Sequence, residues 1–249
     1  MTDIEIKGAK ILFQIGSVAI TQTVLSLTVV TLLLCIAGVL LGRNLKKRPG
    51  KLQTLTEKGV QMLMDLIIGT MGAHNIGWLP YIGTIFLSSL AGSLIGLTGF
   101  FRATTADLAE VLTWAVMTSL IIWYQNVKRK GFFGWLKSFA QPIAVMLPIN
   151  IVSELAQPIA MAFRHFGNVA GGSIVTMIVY TALSAASQAL FDGIRIPILQ
   201  LGLPAVLSVY FDLFSGFVQA FVFSLLSMVY IAGACPPPEK EYIGGNKYE

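Results

Sequence analysis

A predominantly apolar run covers residues 15–41 and contains no charged side chain. About 20 apolar residues in a row cross the hydrocarbon core of a bilayer as one helix. Further apolar runs cover residues 78–97, 111–127, 148–190 and 198–234. Only 12% of the residues are charged, whereas soluble domains carry about 25%. The chain is therefore predicted to be an all-α integral membrane protein that forms a single membrane domain.

The number of crossings depends on residues 148–190, which would be roughly 64 Å long as one helix, about twice the hydrocarbon thickness. This run is either one tilted or bent helix or a hairpin of two spans. Basic residues concentrate in segments 43–58 and 128–137, and such loops stay in the cytoplasm. A single crossing puts both loops there and predicts about five spanning helices, the last two long and tilted. The N-terminus would lie outside, and the polar tail 235–249 would be cytoplasmic.

One further segment is interpreted from its apolar pattern. Apolar side chains recur at helical spacing through residues 55–71, and polar side chains take the other positions. This pattern favours an amphipathic helix lying in the membrane interface. The first apolar run is too long for a signal-peptide core, so we expect the first helix to be retained.

Several classes of function are not supported by the sequence. There is no phosphate-binding loop, no nucleophile elbow, and no Cys or His spacing typical of a metal site. We therefore expect no catalytic chemistry from this chain alone, no metal and no cofactor. The net charge of +5 lies in short loop clusters that orient membrane proteins, which argues against a nucleic-acid partner.

Arg164 is the only lysine or arginine between residues 143 and 190. A charge at membrane depth costs about 3 kcal/mol on insertion scales, so the charge is expected to serve a partner or an ion. At 100° per residue, Gln157, Arg164 and Asn168 share one helix face. Seven positions separate Asp212 from Gln219 in the last run, so these two also share a face.

Three interpretations of these intramembrane polar residues remain open. The two polar faces could pack together through buried hydrogen bonds, or they could line a water-filled path. Arg164 could also form a structural ion pair with Asp212 or Glu154.

The segment SELAQPIAMAFRHFGNVAGG resembles the signature of the a subunit of rotary F-type ATP synthases. The matching positions are Pro158, Arg164, Phe166, Gly167 and Asn168. The resemblance extends over essentially the whole chain. Residues 217–231 resemble the last-helix signature of that family, with Gln219 at the glutamine position. The segment ATTADLAEVLTWAV resembles the family region with Asp107 just before a helix, and residues 48–72 resemble its in-plane helix.

This resemblance implies the stator half of a membrane ion path in a bacterial inner membrane. Two offset aqueous half-channels would open against a ring of c subunits, and an arginine would separate them. Proton flow would be coupled to ring rotation and ATP synthesis. The b-subunit peripheral stalk and the remaining ATP synthase subunits would be partners, with the lipid bilayer around them.

Residue roles follow from the resemblance position by position. Arg164 would be the charge barrier that meets the ring carboxylate. Asn168 and Gln219 would belong to the proton path. Asp212 is expected to be the main titratable group of the outer half-channel, with Ser173 holding water where many relatives carry Glu or His.

The remaining candidates carry weaker expectations. Glu154 would serve the inner half-channel or act as a helix-packing acid. His165 would face a neighbouring helix or relay protons. Gln157 stands where a basic residue is common, and Asp107 precedes a helix.

A secondary transporter that acts alone is the rival interpretation. In it, Arg164 would bind an anionic substrate and Asp212 would couple a proton. Such transporters often show paired halves, and this chain shows no internal repeat. Co-purification with a ring of small hydrophobic hairpin proteins would distinguish the two. A purely structural scaffold leaves Arg164 unexplained.

Overall fold

The computed structural model describes residues 11–15, 18–43, 45–98, 100–141, 143–190 and 209–237. In these residues, five helices are long and apolar enough to cross a membrane. This finding confirms the predicted class, an all-α integral membrane protein with about five spans. The five candidate spans are Gln22–Arg43, Ala73–Thr98, Leu108–Lys130, Ala144–Ser187 and Leu213–Ala234.

The described chain opens on a short antiparallel hairpin before its first helix. Strand β1 (Ile11–Ile15) pairs with β2 (Val18–Thr21), and helix α1 follows (Gln22–Arg43). The apolar run predicts a helix from residue 15, but α1 begins only at Gln22. β-Branched residues dominate the hairpin and favour extended backbone. Thr21 then acts as the N-cap of α1, because its hydroxyl accepts the Val24 N–H at 3.5 Å.

Four helices follow, separated by short connections. They are α2 (Lys51–Met71), α3 (Leu79–Leu94), α4 (Leu108–Lys130) and the short α5 (Phe132–Ser138), which the apolar pattern did not predict. Gly72, with φ of +84°, ends α2, and Gly131, with φ of +72°, separates α4 from α5. Glycine adopts this left-handed backbone without the steric cost that a side chain would add.

Residues Leu147–Leu190 form one continuous helix, α6. The hairpin of two spans that the sequence left open is therefore not formed. Pro158 lies inside α6 and lacks the N–H that would complete the helical ladder. Spanning helices tolerate proline because neighbouring groups and local adjustments satisfy the freed carbonyl.

The last described stretch begins with a π-helical turn, Val209–Ser215, and continues as helix α7 (Gly216–Ala234). The apolar run predicted from residue 198 begins outside the described residues. The connection at residues 192–195 and the polar tail beyond residue 237 also lie outside them.

The described residues divide into two compact units. The first contains those of Met1–Ala37, Leu87–Val111 and Phe163–Ala220, and the second contains those of Gly38–Phe86, Leu112–Ala162 and Phe221–Glu249. The second unit has an apolar core, whose members include Ile67, Met71, Ile82, Ile122, Met228 and Ile231. Helix α2 thus buries only the C-terminal part of its apolar face, and its orientation in the membrane stays a prediction.

Candidate functional site

Arg164 lies in the first unit, and its side chain is exposed. Within the described residues, no hydrogen bond or ion pair involves its guanidinium group. One proposed counter-charge, Glu154, instead accepts a 2.7 Å hydrogen bond from the indole of Trp123 in the second unit. The other, Asp212, lies in the π-helical turn, and its side chain is outside the described atoms. The described part of the chain therefore supplies no counter-charge for Arg164.

Asn168 and Gln219 join the two polar faces that the sequence predicts. The Asn168 amide donates a 2.7 Å hydrogen bond to the Gln219 side-chain oxygen. Gln219 is only 3% exposed, so a partner for its amide oxygen is required inside the protein. This contact links α6 to α7 within the first unit, as the packing interpretation predicts.

His165 makes a second polar contact from α6. Its ring is fully buried, and Nε2 lies 3.2 Å from the hydroxyl of Ser89 on α3. Adjacent helical residues differ by 100° in direction, so a buried His165 leaves Arg164 turned to a different side. The structure thus places His165 against a neighbouring helix, which is one of the two alternatives that the sequence left open.

Ser173 and Asp107 have local partners in the first unit. The Ser173 hydroxyl donates to the Val169 carbonyl of its own helix at 3.0 Å. One Asp107 oxygen accepts the Ala109 N–H at 3.0 Å, and the other accepts the Thr23 hydroxyl at 2.7 Å. Asp107 therefore caps the start of α4 and ties it to α1.

Glu154 borders an open cleft of about 370 Å³ in the second unit. Its polar lining includes Asn126, Lys130, Gln141, Asn150, Ser153 and Glu154. The Asn150 amide also donates to the Phe139 carbonyl at 2.8 Å, which ties α6 to the end of α5. The cleft is large and polar enough to hold several waters. Gln157, one turn further along α6, is half-buried.

Sequence reasoning missed Glu110, a half-buried carboxylate in the first unit. The apolar run was placed at 111–127, which left this residue in a loop. Helix α4 begins at Leu108, so Glu110 lies inside a candidate span. A charged residue within a spanning helix is itself a signal of function, and an earlier helix start would have revealed it.

The fold and the arginine define a class: a multi-pass membrane protein that keeps an exposed cation on a spanning helix, with polar helix contacts close by. The ATP synthase A chain family matches residues 24–232. The chain belongs to this family.

Individual relatives support this assignment. The chain is 33% identical over 230 residues to the sodium ion specific ATP synthase subunit a of Propionigenium modestum, covering 86% of this chain and 74% of the relative. It is 32% identical over 219 residues to ATP synthase subunit a of Bacillus subtilis, covering 84% and 89%. It is 28% identical over 221 residues to ATP synthase subunit a 1 of Hahella chejuensis, covering 88% and 86%.

Family membership decides between the classes of function that the sequence left open. The chain is an ion-translocating subunit of the membrane sector of an F-type ATP synthase, without catalytic chemistry of its own, and it associates with other subunits of that complex. The solitary transporter is excluded.

Proposed function

We propose that this chain is the stator half of a rotary proton path. It forms two aqueous half-channels against a ring of c subunits and couples proton flow to ring rotation and ATP synthesis. The observation that carries this proposal is the exposed Arg164, which lacks a counter-charge in the described part of the chain. A cation kept at membrane depth without an internal partner fits an acid supplied by another subunit.

The chemistry at Arg164 is electrostatic. A ring carboxyl group stays protonated in lipid because its ionised form is poorly solvated there. Close to Arg164, the fixed positive charge favours the carboxylate, and the proton leaves into one half-channel. The guanidinium cannot lose its own proton in a protein, and like charges repel. Arg164 therefore also blocks protons from passing directly between the half-channels.

The two access paths draw on different residues. In the outer half-channel, Asp212 is the main titratable group and Ser173 holds water. In the inner half-channel, Glu154 receives protons from the polar cleft beside it. Asn168 and Gln219 support the arginine, because their hydrogen bond lies one helical turn beyond it. His165, Gln157 and Asp107 contribute packing or capping rather than proton transfer.

Partners and orientation complete the proposal. The c-subunit ring faces Arg164, the b-subunit peripheral stalk holds the chain still, and the remaining subunits make ATP. The complex lies in a bacterial inner membrane with the N-terminus outside and the C-terminus in the cytoplasm. The basic clusters at residues 43–58 and 128–137 support this orientation.

ATP-driven acidification of inverted membrane vesicles tests the central claim. We expect Arg164→Ala to abolish pumping while the complex still assembles. Arg48→Ala, which removes an exposed loop cation, should pump like the unmodified protein. Normal pumping by Arg164→Ala would overturn the charge-barrier role.

A sodium arm of the same assay identifies the ion, because one relative is described as sodium ion specific. We expect pumping to proceed without sodium. A strict requirement for sodium would replace the proton by sodium in the proposal. Purification of the assembled complex should also yield small hydrophobic hairpin subunits in excess over this chain, and their absence would contradict the ring partner.

A further inference from the structure

The loop before α4 packs tightly against α3 within the first unit. Thr104, Thr105 and Ala106 are all buried. The Thr105 hydroxyl lies 2.9 Å from that of Ser93 on α3. Gly92, one residue earlier on α3, leaves the space that the Thr104 hydroxyl occupies, because a Cβ at Gly92 would collide with that oxygen. The packing of this loop against α3 therefore fixes the position of the Thr104 hydroxyl.

Asp107, the acid that follows this loop, is already committed to structure. Both of its oxygens accept hydrogen bonds, from the Ala109 N–H and the Thr23 hydroxyl. A carboxylate that caps a helix and tethers a second helix cannot take up a proton without weakening both contacts. Asp107 is thus poorly suited to repeated proton exchange.

Glu110 lies one turn further along α4 and, unlike Asp107, has a carboxyl oxygen without a hydrogen-bond partner among the described residues. Within the described residues, its buried Oε1 has no hydrogen-bond partner, and the fully buried Thr104 Oγ1 has none either. The hydroxyl nevertheless lies close enough to the Glu110 carboxyl group to interact with it, and Asp107 is a charged group near that carboxyl. A buried carboxyl oxygen that has no partner among the described residues can take up a water molecule or an exchangeable proton.

We propose that Glu110 is a further proton-exchanging residue of the translocation path, with its Oε1 open to a water molecule and the Thr104 hydroxyl beside its carboxyl group. This inference rests on the proposed function of the chain. In each exchange, a hydronium ion in the aqueous path protonates Oε1 and becomes water. A neighbouring water then accepts the proton and passes it onward. No other bond forms or breaks, and the Thr104 hydroxyl orients the carboxyl group without changing its own protonation.

Passive proton conduction tests this role in inverted vesicles stripped of the catalytic sector. We expect Glu110→Gln to lower conduction by about tenfold or more, since a positioned proton-transfer group contributes on the order of 10²-fold in rate. Glu110→Asp should retain part of the flux. Thr104→Val should lower conduction and Thr104→Ser should restore it, because only a hydroxyl at this position orients the Glu110 carboxyl group. Glu57→Gln removes an exposed carboxylate on α2 and should conduct normally.

Subunit content by immunoblot accompanies each flux measurement. Normal conduction by an assembled Glu110→Gln protein would overturn the inference. If Glu110→Gln does not assemble, Thr104→Val decides, and its full conduction would overturn the inference equally. ATP-driven pumping by Arg164→Ala separates a failure of the Glu110 role from a failure of the proposed function of the chain. If Arg164→Ala loses pumping and Glu110→Gln conducts normally, only the role of Glu110 is refuted. If Arg164→Ala pumps normally, the proposed function itself is refuted.

Discussion

Asn168 on α6 donates a 2.7 Å hydrogen bond to Gln219 on α7, one helical turn beyond the exposed Arg164. Gln219 is buried, whereas Asn168 lies at the edge of the contact. Residues four apart on a helix share a face. The bond therefore controls the rotation of α6 at the level of the arginine, and it couples helix packing to the direction in which the cation faces.

Removing this hydrogen bond should lower the stability of the protein, and a double-mutant cycle should show coupling between the two side chains. Asn168→Ala and Gln219→Ala should each destabilise the protein, and the double variant should fall short of their sum by about 1 kcal/mol, the usual worth of such a bond between membrane helices. Denaturant unfolding in detergent micelles measures the cycle. Ser173→Ala is the control, because the hydrogen bond that its hydroxyl makes within the described residues stays inside α6. Additive effects would mean that the two side chains do not interact in solution.

His165 and Ser89 provide a test that separates packing from proton relay. His165→Leu should destabilise the protein by about 1–3 kcal/mol, because the buried Ser89 hydroxyl loses its partner. Adding Ser89→Ala should recover most of this loss. Under the packing role, proton pumping recovers along with stability in the double variant. A stable double variant that still fails to pump would support the relay role instead.

Gly92 should not tolerate a side chain. Gly92→Ala places a Cβ against the Thr104 hydroxyl, and overpacking of this kind costs about 1–3 kcal/mol. Thr104→Ala in the same chain should relieve the clash. Gly38 has nothing within 4 Å of an added Cβ, so Gly38→Ala should leave stability unchanged or raise it slightly. Thermal denaturation of the purified protein compares the three, and equal midpoints would contradict the predicted contact.

Glu154 distinguishes an inner proton path from a fixed packing acid. Glu154→Gln keeps an oxygen that can accept the Trp123 indole N–H but loses the titratable group. We expect stability to hold and ATP-driven pumping to fall several-fold. Trp123→Phe is the matched variant, because it removes the hydrogen bond and retains the carboxylate, and it should still pump. If Glu154→Gln pumps normally, Glu154 only packs.

Cys235 reports the orientation of the chain in the membrane. In a Cys35→Ser background, a membrane-impermeant maleimide should label Cys235 in inverted vesicles but not in right-side-out vesicles. Burial raises the pKa of this thiol, and only the thiolate reacts. The labelling rate should therefore keep rising with pH beyond the range of an ordinary cysteine. Labelling confined to right-side-out vesicles would place the C-terminal side outside the cell, and Cys235→Ser should abolish the signal.

The sequence by itself determined the membrane class, the approximate spans and the family. Hydropathy depends on local composition, and the arginine and glutamine signatures are contiguous strings, so neither needs a folded chain to be recognised. The residue at which α1 begins could not be predicted as well, because a hairpin competes with the helix for the same apolar residues.

Only the tertiary structure decided which polar side chains have hydrogen-bond partners. Asp107 is bonded by Thr23 from 84 positions away, and His165 meets Ser89 from 76 positions away. Glu110 becomes notable only because the Thr104 loop folds against Gly92. Such pairings depend on how helices distant in sequence rotate and pack, and the local periodicity of one segment contains no information about its partner.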